Sequence, residues 1–185
     1  MQILKKIDLN SQYATIISGI RRCGKSTLLH QLLQGMSAFY YLNFEDTRLI
    51  DFDSSDFNEL EEVFIEEFGL SDTYMFDEIQ NVNEWEIFVR SGLDREKKFV
   101  ITGTNASLLS RELGTRLTGR HINVELFPFS FSEYPNIRNE EPSPITFKEY
   151  NEEGGFPIYL KSRKPETLRQ ISKDIVQRDI VPGTI

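Results

Sequence analysis

The chain alternates between short apolar runs and longer stretches with helical spacing. Ala14, Thr15, Ile16, Ile17 and Ser18 form a β-branched run that predicts a buried strand. Leu28, Leu29, Leu32 and Leu33 then recur at helical spacing over residues 26–34. Residues 38–44 are aromatic and apolar and predict a second strand ending at Glu45 and Asp46. Ser54, Ser55 and Asp56 predict the cap of a helix running to Phe68. Leu60, Phe64 and Phe68 share one face of that helix, and Gly69 stops it. Residues 73–77 predict a third strand, and residues 83–93 a helix burying Trp85, Phe88 and Val89. A fourth strand follows at 98–102, a short helix at 106–113 and a fifth strand at 122–126. Strands that alternate with helices imply a parallel sheet covered on both faces. With right-handed crossovers, the expected fold class is α/β, a three-layer α/β/α sandwich.

The character changes after Phe127, where Pro128, Pro135, Pro142 and Pro144 punctuate an acidic segment. Residues 139–144 read as a loop or linker, and helical patterning returns at 147–152 and 166–178. We therefore expect a core over residues 1–135, followed by a linker and helical segment over 136–185. There is no internal repeat and no low-complexity tract.

Composition narrows the partners. The 185 residues carry a formal net charge of −8, which argues against a strongly basic nucleic-acid surface. Arg116, Arg120 and His121 remain available for a local basic patch. Fourteen Phe and seven Tyr supply bulk for a sizeable core. The single cysteine, Cys23, has no internal disulfide partner and suits a reducing cytosol. It is either a small residue tolerated in its loop or a thiol activated near a helix start. Residues 1–8 lack the apolar run of a secretion signal, and no run reaches membrane-spanning length. A cytoplasmic protein without membrane contact is the expectation.

The chemistry starts at Gly19, Ile20, Arg21, Arg22, Cys23, Gly24, Lys25 and Ser26, which fit the phosphate-loop pattern G-x-x-x-x-G-K-[ST]. Strand, glycine loop and helix follow in the order a polyphosphate cradle needs. Glycines let the backbone turn N–H groups onto one anion, and a helix N-terminus adds partial positive charge. Lys25 is expected at the β- and γ-phosphates, the Ser26 hydroxyl on Mg²⁺, and Thr27 at the α-phosphate. The competing reading is a chance glycine turn ahead of a helix.

The third strand ends in Asp77 and Glu78. Asp77 is placed to hold Mg²⁺ through its water shell, and Glu78 to polarise a water for attack on the γ-phosphorus. Without the loop, the pair would read as surface acids at a strand end. The guanine-reading pattern N-K-x-D is missing; Lys5, Lys6, Ile7 and Asp8 come nearest but lack the Asn. ATP is therefore the expected nucleotide, with residues 9–13 a weak adenine contact. Thr104 and Asn105, beyond the fourth strand, either orient the attacking water or cap a helix. Among Arg111, Arg116 and Arg120, Arg120 is the first candidate and Arg116 the second for an arginine finger, which can raise turnover about 10³–10⁵-fold. The alternative is a solvated basic stretch. His30 and His121 have no metal-ligand neighbours, so Mg²⁺ is the one metal expected.

Residues 19–27, 74–80, 101–109 and 117–134 together resemble the AAA+-type ATPase domain of a prokaryotic ATPase family, whose members join it to a further C-terminal domain. The specific blocks are Asp77-Glu78-Ile79-Gln80, Leu117-Thr118-Gly119-Arg120, residues 126–134, Gly154-Gly155-Phe156-Pro157 and residues 174–180. The resemblance implies a sheet ordered 5-1-4-3-2, Glu78 as water activator, and Thr104 or Asn105 as sensor. It also implies a chain that stops short of the family's usual length. An Mg²⁺-dependent ATPase is the leading reading, with a homo-oligomer if the finger acts between subunits. A nucleotide-gated binding module with negligible turnover is the alternative, and a small-molecule kinase ranks third. No protein partner is legible.

Overall fold

The computed structural model describes residues 7–9, 11–104 and 116–177. It divides into two compact units: residues up to 18 with 25–125, and residues 19–24 with those from 126 onward.

The first unit is built on a five-stranded sheet. Its elements run β1 (Ala14–Ser18), α1 (Lys25–Leu33), β2 (Tyr40–Asn43), α2 (Phe57–Phe68), β3 (Thr73–Asp77), α3 (Trp85–Asp94), β4 (Lys98–Gly103) and β5 (His121–Glu125). The strand order is β2-β3-β4-β1-β5, and every pairing is parallel. That is the expected 5-1-4-3-2 arrangement with flanking helices. The helix expected at 106–113 lies outside the described residues.

Alternation along the strands decides the two faces. Tyr74 and Phe76 of β3 and Phe99 and Ile101 of β4 join a core with Phe57, Phe64 and Phe88. Phe57 stacks on Phe88 at 4.4 Å between centroids, and Tyr74 on Phe99 at 5.2 Å. Such pairs add about 0.5–1.5 kcal/mol each beyond burial. The buried tyrosines keep their hydroxyls bonded, Tyr74 donating to Glu61 at 2.7 Å and Tyr40 accepting from Ser71 N–H at 3.0 Å. Met75 and Val100 alternate onto the other face and are buried, as are Leu28 and Leu29 of α1, which packs on β3 and β4.

Local chemistry moved several boundaries. Asp53, rather than the Ser54–Asp56 run, caps the approach to α2: it accepts from Ser55 N–H at 2.7 Å, and Asp56 reciprocates to Asp53 N–H at 2.9 Å. Gly69 ends α2 with φ 75°, as its position predicts. α3 starts at Trp85 because Glu84 is left-handed, with φ 56°.

The second unit carries α4 (Tyr134–Arg138), α5 (Pro144–Glu153), α6 (Pro157–Ser162) and α7 (Pro165–Ile175). Pro135 and Pro144, which read as breaks, instead lie in the first turns of α4 and α5, and Pro157 and Pro165 open α6 and α7, where a missing N–H costs nothing. Tyr134 is fully buried; its hydroxyl donates to Glu153 at 2.6 Å and accepts from Arg138 at 2.6 Å. Among the described residues, no helix is long and apolar enough to cross a membrane.

Candidate functional site

In the first unit, β3 and α1 bring opposite charges together. Lys25 opens α1 and is 4% exposed; Asp77 closes β3 and is 1% exposed. Glu78 follows Asp77 in the left-handed region, with φ 52° and ψ 45°. A non-glycine residue held there costs about 1–3 kcal/mol, and such strain concentrates at working sites. The turn delivers its carboxylate to Lys25, with Nζ 3.4 Å from Oε1.

Thr102 of β4 locks this corner. Its hydroxyl accepts from the Glu78 N–H at 3.0 Å and donates to Asp77 Oδ1. Tyr41 of β2 faces the other Asp77 oxygen at 3.5 Å. Burial, then the charge of Asp77 and the bond to it, push the Tyr41 hydroxyl up to about 12, so Tyr41 stays a neutral donor. The short turn Ile79–Asn81 is anchored by buried Ile79 and by Asn81, which donates to the Phe44 carbonyl at 3.1 Å. From that turn Gln80 donates to Glu78 Oε2 at 2.7 Å. Sequence reading passed over Thr102, Tyr41 and Gln80 as site residues. The parallel register that pairs Phe76 with Ile101 leads Asp77 to Thr102, and a strand-pairing argument would have found it.

Thr104 is buried just past β4. Asn105 and Arg111 lie outside the described residues. Ser26 and Thr27 follow Lys25 on the first turn of α1. A hydroxyl at Ser26 and a carboxylate at Asp77 are hard oxygen donors of the kind Mg²⁺ takes.

The loop of residues 19–24 belongs to the second unit. Gly24 has φ 106° and Arg22 φ 65°, and Cys23 N–H bonds the Ile20 carbonyl at 3.3 Å. Gly19 is required for closeness: a Cβ there would sit 2.4 Å from the Leu126 carbonyl oxygen and 2.8 Å from Cys23 Sγ. Cys23 is a buried thiol. Gly154-Gly155-Phe156-Pro157 also acquires a physical role. Gly154, with φ 70°, ends α5; Gly155 lies against Phe129, and Pro157 starts α6.

The two arginines engage opposite ends of α3. Arg116 pairs with Glu86 in its first turn at 3.1 Å, and Arg120 with Asp94, its last residue, at 2.6 Å. Arg120 directly precedes β5, and its carbonyl accepts from Ala14 N–H at the start of β1. It therefore lies at the amino edge of the parallel sheet, whereas Asp77 and Glu78 lie at the carboxy edge. A five-residue strand, about 16 Å long, separates the edges.

A family model described as an AAA domain matches residues 11–135. An uncharacterised protein of Methanocaldococcus jannaschii is 33% identical over 183 residues, covering 90% of this chain and 41% of that protein. One from Haemophilus influenzae is 35% identical over 188 residues, covering 92% and 47%. The chain thus spans less than half the length of these curated relatives. Among solved structures, the Walker-type ATPase of Pyrococcus abyssi aligns with a TM-score of 0.49 at 14% identity, covering 97% of this chain and 72% of that one.

Proposed function

The chain belongs to the AAA domain family, as its sequence blocks led us to expect, and from that membership we propose that it binds ATP and hydrolyses it with Mg²⁺. The observation that carries the reading is the buried Lys25–Glu78 pair beside Asp77, braced by Thr102. A buried ion pair is a weak source of stability, and buried charges of this kind concentrate at functional sites.

In this reading, the N–H groups of residues 19–24 and Lys25 grip the phosphates. Ser26, and Asp77 through a water shell, would hold Mg²⁺, which when bound would neutralise phosphate charge. Glu78 takes the proton of the attacking water. Thr104 and Asn105 are proposed to orient that water. Arg120, at the far edge of its own sheet, can serve only a neighbouring subunit; Arg116 is the alternative finger. This implies a homo-oligomer.

Phosphate release from ATP, measured across a protein concentration series, tests the reading. Glu78→Gln should abolish turnover and keep ATP bound, and Lys25→Ala should lose binding. Wild-type turnover in Glu78→Gln would remove Glu78 from the chemistry. The position of Arg120 also favours a second reading, a nucleotide-gated binding module that turns over negligibly without its neighbour. Saturable ATP binding with no hydrolysis at any concentration would select it.

A further inference from the structure

Gln80 carries a polar atom that the contacts described so far leave unused. Its side-chain Nε2 donates to Glu78 Oε2 at 2.7 Å. A carboxylate only accepts, so the amide orientation is fixed: nitrogen toward Glu78, oxygen away from that bond. That oxygen, Oε1, is buried and meets no donor among the described residues. Buried acceptors are rarely left so, and such an oxygen is suited to take an incoming donor. The oxygen belongs to the same planar group that touches Glu78, so one small donor can reach both it and the Glu78 carboxylate.

We propose that Gln80 is a positioning residue for hydrolysis, its carbonyl oxygen and the Glu78 carboxylate accepting the two O–H groups of one water. The inference rests on the ATPase reading above. A water has two protons and two lone pairs. Two fixed acceptors take both protons and leave a lone pair aimed away from them, which is the orientation attack requires. In the step, the water oxygen bonds the γ-phosphorus while the bond to the β–γ bridging oxygen breaks and ADP leaves. One proton passes to Glu78; the other stays on the new phosphate oxygen, held by Gln80. Nε2 keeps Glu78 in place throughout, and its bond to Lys25 uses the other carboxylate oxygen.

The test compares the unaltered chain with Gln80→Met and Gln80→Lys, using Glu78→Gln as the reference for lost chemistry. Met preserves bulk and removes both polar atoms. Lys preserves a donor to Glu78 and offers no acceptor. Both should lower kcat by about ten- to a hundredfold while the dissociation constant for a fluorescent ATP analogue stays within about twofold. A Gln80→Lys chain with unaltered kcat would show that only the donor matters and overturn the proposal. So would a fall in kcat matched by an equal loss of ATP binding, the mark of a structural role. Thermal melting checks each fold, and Gln80→Lys on this half-buried turn decides the matter if Gln80→Met does not fold. Normal hydrolysis in both variants sinks this inference alone. ATP binding without hydrolysis by the unaltered chain sinks the ATPase reading and this inference with it.

Discussion

Thr102 shows how much one hydroxyl can hold. It serves the Glu78 N–H and Asp77 together. Thr102→Val keeps the shape and strands both partners, which should cost about 1–3 kcal/mol in urea denaturation and slow phosphate release tenfold or more. Thr102→Ser should recover most of both. Glu61 supplies a pH test. Burial pushes its carboxyl up, but the Tyr74 hydroxyl and Arg95 outweigh burial and hold it below the ordinary 4.5. A depressed folded-state value means stability present at neutral pH and lost as pH falls from about 4.5 through the folded value. Glu61→Gln should therefore lower the urea midpoint at neutral pH, with the difference from wild type closing in acid. At this scale the sequence singled out Lys25, Asp77 and Glu78 from two local motifs, and the structure sets Glu78 against Lys25. The sequence hid Thr102, Tyr41 and Gln80 because their partners depend on which strands pair and on how one turn closes.

Elements were legible where periodicity was long. β1, α1, β3 and β4 fell where alternation and leucine spacing put them. α6 went unpredicted because it is only six residues long and follows directly on two glycines, although Pro157 is its first residue. α4, only five residues long, has too few turns for periodicity to show. Two close approaches yield predictions. A Cβ on Gly92 of α3 would stand 2.4 Å from the ring of Phe99, which is itself only 2% exposed. Gly92→Ala must displace that ring and should cost about 1–3 kcal/mol, read as a lowered thermal midpoint. Gly155→Ala is harsher, because the clash at 1.9 Å is with the Phe129 carbonyl oxygen, and backbone yields less than a side chain. Its melting temperature should fall further than that of Gly92→Ala.

For the molecule as a whole, alternating strands and helices made the parallel sheet legible, but spacing alone left the strand order open; the family resemblance supplied it. The placement of Arg120 makes the oligomer testable. Lys25→Ala and Arg120→Ala chains should each be inactive alone, and mixing them should restore part of the turnover, since one contributes the arginine and the other the bound nucleotide. No recovery on mixing would mean that Arg120 does not act across an interface. The sole tryptophan, Trp85, is buried at the start of α3 and belongs to the sheet unit. Its fluorescence therefore reports on that unit, whereas circular dichroism registers helices from both. Urea titrations followed by the two methods should coincide if the units melt as one and separate if each melts on its own.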